Sequence, residues 1–345
     1  MGVSGIGASP ALSEGTSSTL FVPIVLSSGG AGASFYTSEL TLTNRGTTAA
    51  TVELRYTAAF GGGEGTCVEA LLSGEQKVVP DAIAYLRGRG VPIAEGAGRG
   101  GTLRVTFTGL SSPDAAAATV RTTTATAPPQ PLGAAGLSYP GIPPVSSFNS
   151  SATLYGLRTS ADDRTNVAVY NPTTEPVAVR VTAFAGDGTG FSVVKADSLE
   201  IPGLGWTQLS GILDGTGITN GWVTIENTGG SGSFGAYGVI NDNRTSDGSF
   251  VFPVGGTLQG ASLTVPVLVE TTAGFTSELV LTNRASVSAR LTLSYVESLT
   301  SSLGTGGTHS LDLAPRSRRH WRFFGFHHPI GDPDDPFGGP GHVGV

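Results

Sequence analysis

Histidine chemistry has few places to occur in this sequence. All five histidines lie at or after His309, so residues 1–308 contain none. Ser-His-Asp triads, Cys-His pairs and His-ligated zinc sites are therefore excluded from most of the chain. A transition-metal site in residues 316–345 would have to form on a segment rich in proline and glycine, which preorganises ligands poorly. The residues available to it there are His320, His327, His328, His342, Asp332, Asp334 and Asp335.

Two loops rich in oxygen ligands are the better candidates for binding an ion. The stretches "SADDRTN" (160–166) and "NDNRTSDGS" (241–249) connect predicted strands, and carboxylates on loops suit Ca²⁺. The calcium candidates are Asp162, Asp163, Asp242 and Asp247. Neither loop has the spacing of a known calcium site, and Asx turns explain the same residues. The sequence indicates no other cofactor.

Two tryptophans are the candidates for stacking on a sugar ring, Trp206 and Trp222. Trp222 alternates with Thr224 and Glu226, which would allow a partly exposed ring, but filling of the core is the favoured interpretation of both tryptophans. The remaining carboxylates are scattered without a pair suited to glycoside hydrolysis, and Cys67 has no neighbouring base. We therefore predict no catalytic residue and no enzymatic activity.

The composition favours strands and turns over helices. Hydrophobic residues make up 39% of the 345 residues, charged residues only 13%, and there are 52 glycines. The net charge is −7 without a basic stripe in the first 300 residues, which argues against a nucleic-acid partner. No apolar run reaches the ~20 residues of a membrane span. Residues 1–18 lack the charged and apolar regions of a signal peptide.

One stretch of sequence is repeated. "TSELTLTNRGTTAATVELRY" (37–56) is closely similar to "TSELVLTNRASVSARLTLSY" (276–295), and "RTNVAVYNPTTEPVAVRVTA" (164–183) is a more distant copy. The three align without gaps on Asn44, Asn171 and Asn283. Apolar residues alternate with polar ones on both sides of a turn, which predicts two antiparallel strands with one buried face. We expect each asparagine to begin the turn by bonding nearby backbone groups.

The flanks of the three copies repeat as well. Each copy begins with a predicted strand: "STLFVPIVLSS" (18–28), "SATLYGLRTS" (151–160) and "ASLTVPVLVET" (261–271). In the first copy Pro80 and Asp81 predict the start of one short helical turn. The first two copies hold about seven strands in a little over 100 residues, which is typical of an immunoglobulin-like sandwich. Short links between copies favour end-to-end stacking.

The predicted fold is all-β, with tandem immunoglobulin-like or fibronectin-like antiparallel β-sandwiches and an incomplete third copy. Residues 316–345 contain many Arg, Pro, Gly and His residues and no strand pattern. We interpret this tail as the product of a frameshift near Pro315, and a native basic-then-acidic tail is the alternative. The predicted divisions are a disordered segment (1–16), sandwich repeats (17–146 and 147–258), a partial sandwich (259–315) and an irregular tail (316–345).

The pattern "FVPIVLSS…SFYTSELTLTNRGTTAATVELRY", followed by "LLSGEQKVVPDAIAYL" and "GTLRVTF", resembles a known kind of repeat. It is similar to the tandem immunoglobulin-like repeats of large secreted or surface proteins from GC-rich environmental bacteria. That resemblance implies an extracellular or cell-envelope location and carries no catalytic residues. The expected role is a structural, adhesive or spacer module. The expected partner is a cell-surface protein or a polysaccharide. A carbohydrate-binding accessory module of a secreted hydrolase is the alternative.

Overall fold

The computed structural model describes residues 16–32, 34–125, 133–256, 262–269, 277–296 and 307–322. Antiparallel β-sheets form nearly all of the regular structure, which confirms the predicted all-β class. Residues 1–15 of the predicted disordered segment and residues 323–345 of the tail lie outside the described residues. We refer below to the first (16–146), second (147–256) and third (262–322) segments.

The first segment forms two facing layers of antiparallel strands. Its elements are β1 (Thr16–Gly29), β2 (Phe35–Asn44), β3 (Ala50–Phe60), β4 (Glu64–Leu71), β5 (Gln76–Val79), α1 (Ala82–Gly88), β6 (Arg99–Leu110), β7 (Ala116–Ala125) and β8 (Ala134–Pro140). One layer has the order β4-β3-β6-β1, and the other has β5-β2-β7-β8. The end of β1 also pairs with the start of β2, which joins the layers into one connected sheet.

The alternation of apolar and polar residues in β2 and β3 places one face of each strand in the core of this segment. Leu40 and Leu42 of β2 and Val52, Leu54 and Tyr56 of β3 are all fully buried, as predicted. The short helix α1 closes one side of the core. Its N-cap carboxylate accepts the backbone N–H of the residue three positions on, at 2.9 Å, which confirms the predicted start.

The second segment has its own two-layered core. Its strands are β9 (Ser151–Arg158), β10 (Asp163–Tyr170), β11 (Val177–Ala185), β12 (Ser192–Ile201), β13 (Trp206–Leu209), β14 (Asn220–Gly230), β15 (Gly235–Asp242), β16 (Gly248–Val251) and β17 (Val254–Gly255). The sheets have the orders β12-β11-β14-β9-β17 and β13-β10-β15-β16. The first segment also contains two short 3₁₀ turns, Pro113–Ala115 and Pro144–Ser146.

The described residues of the third segment form two separate strand pairs. β18 (Glu278–Asn283) pairs with β21 (Ser317–Arg322), and β19 (Ala289–Tyr295) pairs with β20 (Gly307–Leu313). The strand predicted over 261–271 is not formed by its described residues, 262–269.

The boundary predicted at Pro315 is wrong for residues 316–322. These residues were expected to be irregular, yet six of them form β21. The reason is a tight turn in which Arg316 adopts a positive φ of 50°, which returns the chain to the free edge of β18. Backbone pairing at a sheet edge does not require apolar side chains, so the basic composition concealed this strand.

Candidate functional site

The four calcium candidates lie at one end of the second segment, with Asp163 and Asp242 at strand ends and Asp162 and Asp247 on loops, but each carboxylate has another partner. Asp163 forms an ion pair with Arg158 at 2.8 Å, and Asp162 forms an exposed pair with Arg244 at 3.5 Å. Among the described residues, no three His, Cys, Asp or Glu side chains converge on a site for a metal ion.

The other two calcium candidates, Asp242 and Asp247, accept hydrogen bonds from backbone N–H groups and do not converge on an ion site. Asp242 accepts the backbone N–H groups of Arg244 and Thr245 at 2.8 and 2.7 Å. These hydrogen bonds, with that of Thr245 the strongest, lower the pKa of the Asp242 carboxyl despite some burial. Asp247 accepts the backbone N–H of Gly136 in the first segment at 3.1 Å. The loops therefore use their aspartates for Asx turns and ion pairs.

The two tryptophans are both engaged by aromatic neighbours. The side chain of Trp222 is only 4% exposed and stacks on Phe184 with centroids 5.6 Å apart, so the ring is buried, in line with the favoured interpretation, and not partly exposed. Trp206 is half-buried, and its indole N–H donates to the hydroxyl of Tyr237 at 3.1 Å. The rings of Trp206 and Phe60 lie 6.4 Å apart. The indole of Trp222 therefore presents no free face for a sugar, whereas the indole of Trp206 stays partly exposed.

Trp206 belongs to a layer of aromatic rings between the first and second segments, which we call the aromatic seam. Its members are Phe21, Phe60, Tyr139, Tyr170, Trp206, Tyr237 and Phe250. Phe21 stacks on Tyr170 at 5.5 Å, and Tyr139 meets Tyr237 edge-on at 5.2 Å. The second segment contributes its rings from the outer face of the β13-β10-β15-β16 sheet. The segments therefore pack on a sheet face, and the predicted end-to-end stacking is wrong.

Polar contacts at the edges of the seam fix its register. The hydroxyl of Thr102 donates to the carbonyl of Leu204 at 2.5 Å, and Leu204 itself is 4% exposed. Tyr36 donates to the carbonyl of Ser246 at 3.2 Å. Burial raises the pKa of the hydroxyls of Tyr139 and Tyr237 well above the usual value for tyrosine. The seam is thus a continuous hydrophobic core that spans two segments.

The sequence contains a signal for this seam, but it is a continuous apolar run and not an alternation of apolar and polar residues. The stretch "VAVY" in β10 is apolar at every position, which is typical of a strand buried on both faces. Val167 and Val169 face the core of the second segment, while Ala168 and Tyr170 face the first segment. Both sets are almost fully buried.

A second junction, between the second and third segments, is held by arginines. Arg158 pairs with Glu278 at 2.5 Å, and Arg284 donates to the hydroxyl of Thr153 at 2.7 Å. Arg318, at 7% exposed, donates to the carbonyl of Leu157 at 2.7 Å. Burial lowers the pKa of Arg318 to about 10, so it remains charged at neutral pH. The junction holds the third segment against β9.

Another buried ionic cluster attaches α1 to the sheet. Glu69 is 8% exposed and pairs with Lys77 and with Arg89, the latter at 2.9 Å. Burial acts to raise the pKa of Glu69, but hydrogen bonds from Lys77 and Tyr85 and the nearby positive charges outweigh it, so the pKa is lowered. A carboxylate held ionised between two cations is suited to an ion pair and not to proton transfer. Burial likewise raises the pKa of the Cys67 thiol, which keeps it protonated.

The three repeated asparagines occupy the same kind of site in each segment, as predicted. Asn44, Asn171 and Asn283 are buried at the ends of β2, β10 and β18. Each side-chain amide donates to the carbonyl four residues on, at 2.8, 2.6 and 2.8 Å. Each side-chain oxygen accepts the backbone N–H two residues on, at 2.9, 2.9 and 3.0 Å. Each amide also donates to a carbonyl at the next strand turn.

Comparison with known proteins finds no family model, no curated protein and no solved structure that matches this chain. Within the described part of the chain, no helix is long and apolar enough to cross a membrane.

Proposed function

We propose that this chain is a non-enzymatic structural protein, a spacer or adhesive stalk, built of tandem immunoglobulin-like sandwiches in an extracellular or cell-envelope protein. The observation that carries the proposal is a strand order common to the first two segments. The order β4-β3-β6-β1 corresponds position for position to β12-β11-β14-β9. The order β5-β2-β7-β8 corresponds in the same way to β13-β10-β15-β16.

The third segment supports the same proposal, although its described residues form only four strands, half as many as in the first segment. β18 and β21 correspond to β2 and β5, and β19 and β20 correspond to β3 and β4. A buried asparagine stands at the same place in all three segments. In an immunoglobulin fold the first strand lies beside the second, whereas β1 pairs mainly with β6. We therefore propose an immunoglobulin-like sandwich with a rearranged first strand.

The aromatic seam favours a spacer over a set of freely moving modules. Aromatic side chains that are buried between two sheets hold their relative position through many contacts. Fully burying such a side chain contributes roughly 1.5–3 kcal/mol. A spacer requires a fixed geometry, and a seam of seven aromatic residues supplies it.

Distances between spin labels test this rigidity. Cysteines replace the exposed Glu53 on β3 and Ser198 on β12, with the buried Cys67 changed to alanine. We expect a single narrow distance distribution, and a Tyr237→Ala variant with the same labels should broaden it. A broad distribution in the parent chain would contradict the spacer proposal.

A carbohydrate-binding accessory role is the second candidate, and its support is the half-buried Trp206. Depletion of the chain from solution by insoluble cellulose or chitin measures this binding. The spacer proposal predicts no depletion beyond that of an unrelated control protein. Depletion that is lost in Trp206→Ala, but kept in a Trp222→Phe control, would favour carbohydrate binding instead.

A further inference from the structure

The two junctions of the chain join equivalent parts of neighbouring segments. At the first junction, β10, β13 and the turn before β13 lie against β1, β3 and β6 of the first segment. At the second junction, β18 and β21 lie against β9 and the ends of β11 and β14 of the second segment. The strands of the first junction correspond position for position to those of the second. Each junction therefore joins a sheet face of one segment to the side of the preceding segment that carries its first strand.

One equivalent position is occupied by Trp206 at the first junction and by Arg318 at the second. Trp206 stands opposite Tyr170 in the β10–β13 ladder, and Arg318 stands opposite Thr282 in the β18–β21 ladder. Tyr170 and Thr282 each directly precede one of the repeated asparagines. The two ladders therefore place a tryptophan and an arginine at the same point of the docking face.

Trp206 and Arg318 contact the same part of the segment before them. The ring of Trp206 lies 6.4 Å from that of Phe60, at the end of β3. The backbone N–H of Arg318 donates to the carbonyl of Gly186 at 2.9 Å, directly after the end of β11. Its guanidinium donates to the carbonyl of Leu157 in β9 at 2.7 Å. Because β3 and β11 are equivalent strands, the contacts agree in place although they differ in chemistry.

A second equivalent pair of residues is Phe21 of β1 and Thr153 of β9. The ladders β3-β6-β1 and β11-β14-β9 place these two residues in the same row. Phe21 stacks on Tyr170 with centroids 5.5 Å apart. The hydroxyl of Thr153 accepts a hydrogen bond from Arg284 at 2.7 Å, and Arg284 lies two residues after the counterpart of Tyr170. The same part of the repeat therefore contacts the first strand of each preceding segment at the same position.

The strand next to the first strand takes part in both junctions as well. The hydroxyl of Thr102 in β6 donates to the carbonyl of Leu204 at 2.5 Å. The carbonyl of Gly221 in β14 accepts a hydrogen bond from the guanidinium of Arg318 at 3.5 Å. Gly221 is the counterpart of Gly101, the neighbour of Thr102, because the two glycines stand opposite equivalent residues of β3 and β11. Three separate positions thus give the same alignment of the two junctions.

We propose that the two junctions are one interface used twice, so that each sandwich docks on the one before it by the same rotation and translation. The partner that fits the side of a sandwich with the first strand is the outer sheet face of the next sandwich in the chain. A head-to-tail contact repeated in this way builds a screw-like array that lengthens by a constant step. The inference rests on the proposed function, and it adds a uniform geometry to the spacer.

The two copies of the interface differ in chemistry, which fixes the order in which the segments dock. At the first junction aromatic rings pack on one another. At the second junction guanidinium groups donate to a hydroxyl and to backbone carbonyls. A face built for the second junction would place charged groups against aromatic rings at the first, and such a mismatch excludes the wrong partner.

Distances between equivalent positions test the single interface. Glu53, Arg180 and Thr292 are exposed and occupy the same position in the three copies of the repeat. Cysteines that carry spin labels replace them in pairs in the full chain with Cys67→Ala. The distance between positions 53 and 180 reports on the first junction, and that between 180 and 292 on the second. We expect equal means. Narrow distributions with unequal means would overturn the single interface, while the labels at Glu53 and Ser198 would still decide the spacer function separately.

A second set of labels near the repeated asparagines guards against a coincidence. Thr47, Thr174 and Ser286 are also exposed and equivalent in the repeat. Their two successive distances should again equal each other, since one rotation and translation relates every equivalent pair of points. Agreement in one set of labels and disagreement in the other would overturn the single interface.

Substitutions at the equivalent position test whether it holds each junction. Trp206→Ala should broaden the distance distribution of the first junction and leave that of the second unchanged. Arg318→Ala should have the reverse effect, and its unchanged first distance shows that the rest of the chain is folded. Arg319→Ala, at the exposed neighbour on β21, is the control and should change neither distribution. An Arg318→Ala variant with a second distance as narrow as that of the control would overturn the proposal.

Discussion

Three buried asparagines each join a strand end to two neighbouring loops. Each of Asn44, Asn171 and Asn283 donates to one carbonyl in the loop that follows it and to another in a loop distant in sequence. A buried carbonyl without a donor costs about 1–3 kcal/mol, so one asparagine protects several backbone groups. This explains why a polar residue recurs within apolar strands.

Replacing such an asparagine by alanine should be strongly destabilising. We expect Asn44→Ala and Asn171→Ala each to lower the free energy of unfolding by about 2–3 kcal/mol, because several buried hydrogen bonds are lost. Urea unfolding measures the change. The exposed Asn149 provides a matched control, and Asn149→Ala should stay within about 0.5 kcal/mol of the parent. An Asn171→Ala variant as stable as this control would contradict the assigned role.

Buried tyrosines should make the fold sensitive to alkali. Burial raises the pKa of Tyr56 and Tyr85 to about 12, and it also raises that of Tyr170 in the seam. A folded-state pKa above the unfolded value of about 10 means that the folded state keeps its proton longer. The stabilisation is therefore complete below about pH 10 and decreases as pH rises toward the folded-state pKa.

The Tyr56→Phe variant separates the effect of hydroxyl ionisation on stability from the contribution of ring packing. The Tyr56 hydroxyl is buried without a hydrogen-bond partner among the described residues. Its removal should change the free energy of unfolding near neutral pH by no more than about 1 kcal/mol. The loss of stability between about pH 9 and pH 11 should be smaller in the variant than in the parent. Melting temperatures across this range measure both quantities, and identical alkaline slopes would refute the assignment.

One turn of the repeat has the same backbone shape in all three segments but different residues. The turn after β4, β12 and β20 places a residue at positive φ: Gly74 at 72°, Leu204 at 59° and Arg316 at 50°. Glycine adopts this conformation freely, whereas other residues pay roughly 1 kcal/mol. Leu204 offsets that strain by burying its side chain in the seam, while Arg316 is exposed.

The same substitution should therefore have opposite effects in two of these turns. Leu204→Gly should destabilise by about 2 kcal/mol, because lost burial exceeds the relieved strain. Arg316→Gly should stabilise by about 0.5–1 kcal/mol, because the relieved strain exceeds the contacts that the exposed side chain makes beside Gly190. Gly74→Ala, which meets no neighbouring atom, should cost about 1 kcal/mol and calibrates the strain. Thermal unfolding of the three variants measures whether each substitution stabilises or destabilises the fold. For Arg316→Gly, hydrogen exchange of the β21 amides measures the local change in stability.

At the scale of elements, the sequence predicted what depends on local alternation. The paired strands around each asparagine, their buried faces and the start of α1 follow from period-2 patterns and capping chemistry. β21 was missed because it pairs by backbone groups under a basic sequence. The alternation of Trp222 with polar residues left its exposure open, and the ring is buried because Phe184, on the neighbouring strand β11, covers it.

At the scale of the whole molecule, the seam decides how the segments are arranged. Short links favoured end-to-end stacking, but the length of a link does not fix which surfaces meet, and the outer faces of β10 and β15 carry the signal for packing on a sheet face. Those faces carry Ala168, Tyr170, Tyr237 and Val239, all of them almost fully buried. The calcium and sugar-stacking candidates could not be judged from sequence, because both depend on which partners the fold brings to them.

Pulling the full chain by its two ends tests most directly whether it is built from repeated modules. If the first two segments are separate sandwiches, each should unfold in its own event. Each event should release roughly 350–450 Å of chain, since an extended residue spans at most about 3.6 Å. A single event that releases roughly 800 Å would show that both segments form one cooperative unit, which would contradict the modular account.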